Sequence, residues 1–116
     1  MPSTTSALGY LQVGVLELLA EAEDELNQAA QWYEDARSGL GLEFLAEALH
    51  TQAQLALYPE SGAAWSLSGL PSGVRRRALR RFPYLLVYVT EPRLVVVAVA
   101  HTRRQPGYWA ARLQSL

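Results

Sequence analysis

Apolar residues change their spacing several times along the chain, and each spacing names an element. Leu19, Ala22, Leu26, Ala29, Tyr33 and Ala36 step by three or four, the period of one buried helix face. Glu21, Glu23, Asp24, Glu25 and Glu34 fall mostly off that face, and acids in a first turn suit the helix dipole. Ser38-Gly39 closes this helix. A second helical pattern runs from Gly41 through Leu42, Leu45, Leu49, Gln52 or Ala53 and Ala56, and Pro59 stops it. So short a break predicts an antiparallel helical hairpin.

Ahead of the hairpin, Leu11 to Leu18 alternates imperfectly and reads as a first strand. Behind it, Ser61-Gly62, Ser68-Gly69 and Pro71-Ser72-Gly73 mark residues 60–73 as a loop, with Trp65 as its anchor. Val74 to Phe82, Tyr84 to Thr90 and Leu94 to His101 read as three strands, the last two joined through Thr90-Glu91-Pro92-Arg93. Leu94 to Ala100 is apolar throughout, which predicts a central strand buried on both faces. Pro83 predicts a bulge or a sheet edge. Thr102 to Gly107 is a basic loop, and Tyr108 to Leu113 reads as a terminal helical turn. The expectation is an α+β fold: a two-helix antiparallel hairpin on one face of a small, mainly antiparallel sheet, in the order βααβββ. Residues 1–10 are expected to be a poorly ordered extension and residues 11–116 one domain.

Composition narrows the chemistry. Half of the 116 residues are apolar and 18% are charged, which excludes a wholly disordered chain. There is no cysteine, so thiolate sites and disulfides are excluded, and only His50 and His101 offer imidazole. Neither a metal nor a cofactor is expected. Tyr10 to Ala20 is fairly apolar, but no positive segment precedes it and Glu17 interrupts it. No stretch approaches a membrane span, and a cytoplasmic protein is expected. All ten basic residues are arginine. Residues 1–60 hold ten acids and one base, whereas residues 61–116 hold nine arginines and one acid. Two readings stay open: separate acidic and basic faces, or mutual neutralisation within the fold.

Four pieces of this pattern resemble the RelE/ParE superfamily of toxins. They are Ala22-Glu23-Asp24-Glu25-Leu26 with Trp32-Tyr33-Glu34, and Gly39-Leu40-Gly41 leading to Phe44-Leu45. Next comes Val74-Arg75-Arg76 with Arg80-Arg81-Phe82-Pro83-Tyr84 and Val87-Tyr88. The last is Ala98-Val99-Ala100-His101-Thr102-Arg103-Arg104-Gln105-Pro106-Gly107-Tyr108-Trp109. Their order and spacing over roughly residues 11–113 carry the resemblance. It implies the toxin of a type II toxin–antitoxin (plasmid stabilisation) module, held inactive by a cognate antitoxin. RelE-like members cut mRNA in the ribosomal A site, whereas ParE-like members poison DNA gyrase.

Metal-free RNA cleavage needs a base for the 2′-hydroxyl, an acid for the leaving 5′-oxygen and cations around the phosphate. By resemblance, Tyr108 matches the C-terminal tyrosine of RelE-like enzymes and Arg104 an arginine four residues before it. Elsewhere the chain departs from that pattern. Leu85 and Thr102 stand where RelE carries arginines, and Arg76 and Ala78 where it carries a lysine pair. Arginine holds its proton too tightly to replace lysine freely as an acid or base. The leading expectation is therefore a non-enzymatic ParE-like inhibitor of DNA gyrase, with Arg75, Arg77, Arg81, Arg103, Arg104, Tyr108 and Trp109 contacting the target.

The alternatives are a ribosome-dependent mRNA endonuclease using His101, Arg80, Arg104 and Tyr108, and a toxin-like binding module without activity. For His101 the plain reading is a strand cap bonded to a backbone carbonyl. If residues 74–82 stay extended, Arg75, Arg77 and Arg81 share one face, and Arg76 and Arg80 the other. Both faces cannot be core, so one set must be exposed or paired with helix acids such as Glu21, Glu25 or Glu43. Trp32 and Tyr33 are expected in the packing of the hairpin and His50 at the surface. Trp109 either packs over the sheet or serves as an exposed anchor. The antitoxin is expected to present an acidic or amphipathic segment that folds over the sheet and helices. Self-association stays open, and no membrane partner is expected.

Overall fold

The computed structural model describes residues 16–66 and 68–116. Strand β1 (Glu17–Leu18) leads into helix α1 (Ala20–Ala36) and helix α2 (Leu40–Leu57). Strands β2 (Ala63–Ala64), β3 (Val74–Ala78), β4 (Tyr84–Val89) and β5 (Val95–His101) follow, and a 3₁₀ helix spans Ala110–Ser115. The sheet order is β1-β5-β4-β3-β2, with β1 parallel to β5 and the other neighbours antiparallel. This is the expected α+β arrangement, with one more short strand, β2, inside the predicted loop. The predicted first strand is seen over its last two residues; residues 11–15, like the predicted extension 1–10, lie outside the described residues.

The helical hairpin turns on two glycines. Gly39 takes a φ of 90°, a conformation that costs glycine little. A β-carbon on Gly41 would sit 2.5 Å from the backbone oxygen of Ala30, so the two helices touch there with no room for a side chain. Glu34, near the end of α1, accepts the N–H groups of Gly39 at 2.9 Å and Gly41 at 3.0 Å. Its carboxylate thereby satisfies amides at the N-terminus of α2 that have no partner within the helix.

Both faces of the sheet are buried. On one, Ala22, Ala29, Phe44, Ala48 and Leu55 of the helices meet Leu86, Tyr88, Val96 and Val99. On the other, Trp65, Val74, Val87, Val97, Ala98 and Trp109 form a second cluster, closed by Leu70, Tyr108, Leu113 and Leu116. The C-terminal segment and the 60–73 loop thus do for this face what the hairpin does for the first. Trp65 anchors that loop as expected. A bulge pairs Val87 with Ala98 but Tyr88 with Val96, which leaves Val97 as an extra residue in β5. It explains why Val97 and Ala98, though adjacent, join the same cluster. The bulge lies at mid-strand and not at Pro83, which precedes β4 as part of a turn.

The extended segment predicted over 74–82 ends at Ala78. Glu47 of α2 accepts the backbone N–H groups of Arg80 and Arg81, which turns the chain away from the sheet. Burial alone pushes the Glu47 carboxyl up; the N–H bonds of Arg81 and Arg80 and the Arg81 guanidinium outweigh it and hold it below the ordinary value. Arg80 and Arg81 therefore sit in a turn and belong to neither sheet face.

Candidate functional site

The charge asymmetry of the sequence is largely spent inside the fold. Arg93 grips Glu17 through two hydrogen bonds of 2.7 and 2.9 Å. Arg75 donates to the carbonyls of Glu60 and Gly62 and pairs with the Glu60 carboxylate at 3.6 Å. Arg76 lies over the Trp65 ring, 4.7 Å from its centroid. Arg77 donates to Gln54 at 2.7 Å and Ser61 at 3.1 Å. Arg81 bridges Glu43 and Glu47, each at 3.3 Å. Of the arginines in the C-terminal half, only Arg80 and Arg103 are exposed with no side-chain partner among the described residues. Arg75, Arg81, Arg93, Arg104 and Arg112 are paired with acids of the first half, Arg76 and Arg77 are held by neutral groups, and Arg75, Arg77 and Arg81 are committed within the molecule.

The densest polar contact centres on Glu25, on the flank of α1. Oε1 accepts the Val99 N–H at 3.0 Å and Arg112 Nη1 at 2.9 Å. Oε2 accepts the Tyr108 hydroxyl at 2.7 Å, Arg112 Nη2 at 3.0 Å and Arg104 Nη1 at 3.5 Å. The same Arg112 donates to the carbonyl of the bulged Val97 at 2.9 Å. One carboxylate thus ties helix, central strand and C-terminal segment together. Burial alone pushes the Glu25 carboxyl up, but the bonds from Arg112, Tyr108 and Val99 prevail and hold it below the ordinary value. Burial, and the hydrogen bond donated to the Glu25 carboxylate, push the Tyr108 phenol far above its ordinary value. Arg104 lies over the Tyr108 ring at 3.7 Å. Arg112 carries no motif and was not among the expected site residues; its partner lies 87 positions away in the chain.

Beside this cluster, two turns meet at one end of the sheet. The Thr102 N–H bonds to the Pro83 carbonyl at 2.9 Å, which brings residues 79–83 next to residues 101–104. Trp32, Tyr33, Pro83, Tyr84 and His101 line a groove there, and Glu25, Gln28 and Arg104 continue it along α1. Trp32 is 66% exposed, so it faces this groove and is not part of the hairpin packing expected for it; Tyr33, beside it, does pack against Phe44 and Phe82. His101 rests edge-on against Tyr84, with centroids 5.1 Å apart. Its Nδ1 accepts the Arg103 N–H at 3.0 Å, so it bonds to an amide and not to a carbonyl. Trp109 is fully buried against Trp65; it packs over the sheet and offers no exposed anchor. His50 is exposed on α2 as expected.

Arg80, His101, Arg103, Arg104 and Trp32 are therefore gathered at one end of the molecule, whereas Arg75 and Arg77 are held along β3. Among the described residues no group of three or more His, Cys, Asp or Glu could hold a metal ion, and no helix is long and apolar enough to cross a membrane.

The model of the ParE toxin of the type II toxin–antitoxin system parDE matches residues 16–106. The chain belongs to the ParE toxin family. A solved structure titled as the chromosomal ParDE toxin–antitoxin system from P. aeruginosa has a similar fold, with a TM-score of 0.62 and 19% identity over 75% of this chain and 94% of that one. Among curated proteins no match is found. The family match covers β1 to the basic loop and stops before Tyr108 and Arg112. Two of the groups that close the Glu25 cluster thus come from a segment beyond the matched region.

Proposed function

We propose that this ParE-family toxin acts by binding DNA gyrase and is neutralised by a cognate antitoxin. The observation that carries the reading is what Tyr108 does with its proton. A tyrosine that serves RNA cleavage as an acid or base must exchange a proton with the substrate. Here the hydroxyl donates to Glu25 at 2.7 Å and its ionisation is strongly disfavoured. His101 adds no replacement: with Nδ1 accepting the Arg103 amide, the neutral ring carries its proton on Nε2. Neither ring nitrogen then offers a free lone pair to a substrate hydroxyl.

What stays accessible is an end built for protein contact. Trp32 supplies an exposed ring, and Arg103 and Arg80 supply exposed cations. Tryptophan and arginine are enriched among residues that dominate binding energy. The same cations suit an acidic antitoxin segment, so antitoxin and target would compete for this end.

The test is a supercoiling assay with purified gyrase and relaxed plasmid. Wild-type protein should block supercoiling, and Arg103→Glu combined with Trp32→Ala should abolish the block while leaving the melting curve unchanged, because both side chains are exposed. Gyrase that is indifferent to the wild type, with ribosome-bound mRNA cut by the wild type and spared by His101→Ala, would replace this reading by the nuclease.

A further inference from the structure

The groove at the end of the sheet holds more hydrogen-bond donors than the fold uses. Tyr33 and Tyr84 stand half-buried in its wall, and neither hydroxyl has a hydrogen-bond partner among the described residues. Burial holds both phenols above their ordinary value, so each keeps its proton at neutral pH. His101 adds a third donor: with Nδ1 accepting the Arg103 amide, the neutral ring carries its proton on Nε2. That N–H also has no acceptor among the described residues. Arg104 adds a fourth, since only its Nη1 reaches Glu25, at 3.5 Å, and its side chain is 56% exposed. Against these donors Glu25 is the only acid lining the groove among the described residues. Both of its oxygens already accept hydrogen bonds from Val99, Tyr108 and Arg112.

We infer that this groove receives a carboxylate side chain of a protein partner, with the Tyr33 and Tyr84 hydroxyls, His101 Nε2 and Arg104 as its donors. Three observations choose that occupant. The first is the surplus itself. Donors without acceptors, beside the exposed cations of Arg80 and Arg103, are the complement of an anion, and hydrogen bonds to a charged acceptor are the strong ones. The second is a preformed shape. The groove encloses 480 Å³, within the range of about 300–1,000 Å³ for ligand pockets. Its Tyr33 wall is fixed against Phe44 and Phe82, with ring centroids 5.3 and 4.8 Å away, so little ordering is left for binding to supply. The third is the angle between the rings, which favours a protein side chain over a nucleotide. Trp32 and Tyr33 meet at 85°, Tyr84 and His101 at 79°, and Tyr33 and Tyr84 at 69°. In none of these pairs do the faces lie parallel, so a base finds no matched surfaces to stack between. A methylene stem packs equally well on a ring face or edge. The inference rests on the reading above only in taking the partner at this end to be a protein.

The experiment titrates the isotope-labelled full chain, at neutral pH and into the millimolar range, with two short acetylated and amidated peptides. They differ only in carrying a central glutamate or a central glutamine between two leucines. A third titration uses tetrauridylate. The reading is the indole N–H signal of exposed Trp32 in heteronuclear NMR spectra, with buried Trp65 and Trp109 as internal controls. The glutamate peptide should shift the Trp32 signal saturably and leave the other two in place. The glutamine peptide should bind about tenfold more weakly, because a neutral acceptor replaces a charged one. Tyr33→Phe and Tyr84→Phe keep the rings and remove the hydroxyls. Each should leave the melting curve unchanged and cut the preference for glutamate over glutamine at least about threefold, a ratio that a merely structural role would not move. A glutamate peptide that leaves Trp32 unmoved overturns the proposal, as do two peptides bound alike or a preference unchanged in both phenylalanine variants. Tetrauridylate that shifts the same signal and binds more tightly than the glutamate peptide would overturn it too, and give the groove to nucleic acid. The titrations contain no gyrase, so a wrong target and a wrong groove are told apart.

Discussion

Replacing Glu25 by glutamine should expose how much of the fold hangs on one carboxylate. The variant keeps the shape of the side chain but removes its charge, and it puts an amide NH₂ among groups that are all donors. Arg112, Tyr108 and the Val99 N–H now contend for one acceptor oxygen. The Glu25 and Arg112 side chains are only 13 and 17% exposed, so water can repair little of the loss. Breaking one side of a buried ion pair costs about 3–5 kcal/mol, and the residual exposure and surviving oxygen reduce this to about 2–4 kcal/mol. For a chain of this size that is a fall in melting temperature of roughly 10–25 °C.

The deficit should also depend on pH, with a definite sign. The Glu25 carboxyl is held below its ordinary value in the folded state. Its contribution is therefore fully present above the unfolded carboxylate value and is lost as pH falls through the folded one. Urea unfolding of wild type and Glu25→Gln, followed by tryptophan fluorescence at pH 7 and at successively lower pH, should show two curves that converge in acid. A double-mutant cycle with Arg112→Met should return a coupling of about 1–3 kcal/mol. A deficit below about 0.5 kcal/mol at neutral pH, where surface changes fall, would refute the reasoning. So would a deficit that stays constant into acid.

Spectrophotometric titration of the phenols should find Tyr33, Tyr84 and Tyr108 ionising above the ordinary value of 10.0, each chiefly because of burial. Glu25→Gln should bring the Tyr108 transition down, seen as its loss on further change to Tyr108→Phe. Gly41→Ala should destabilise by about 1–3 kcal/mol despite alanine's better helix propensity, because its methyl meets the Ala30 carbonyl; a stabilised variant in thermal melts would disprove the close contact. Trp109→Ala should cost about 3–5 kcal/mol, and denaturant unfolding with a loss under about 1 kcal/mol would contradict its full burial. Trp32→Ala, by contrast, should leave stability within about 0.5 kcal/mol, measured the same way.

The parts of the fold that repeat with a local period were legible. The three-and-four spacing from Leu19 to Ala36 located α1 within a residue of its observed start, and the apolar run at 94–100 located β5, a buried interior strand although β4 holds the middle of the sheet. What was illegible depends on partners far away in the chain. β3 stops at Ala78 because Glu47, more than thirty positions earlier, takes the amides of Arg80 and Arg81; nothing within residues 74–82 announces it. β2 is two alanines, too short for any period. Trp32 is a different case. It lies one position from the buried row of Ala29 and Tyr33, about 100° round the helix, and shares a face with Glu25 and Gln28. Helical phase alone would have put it outside, where it lines the groove.

The site followed the same division. His101, Arg103 and Arg104 stand together in sequence, and the turn that holds them is local. Arg112 is joined to them through Glu25 and the Tyr108 ring, and no spacing rule links positions 25 and 112. The opposite charges of the two halves did carry the decisive information, though not as two faces. A chain whose acids precede its arginines can neutralise them only by folding one half onto the other, and each ion pair then becomes a long-range tie. The pairs Glu17–Arg93, Glu25–Arg112, Glu43–Arg81 and Glu60–Arg75 run along the sheet and its covering elements. The cations left over mark where the molecule still has charge to offer. Arg76 and Arg77 have no acid partner either but are held by Trp65, Gln54 and Ser61; the exposed remainder, Arg80 and Arg103, is a smaller and sharper surface than nine arginines in the sequence implied. A partner that reads it must be acidic over a patch only a few residues wide, and its affinity should fall steeply with salt.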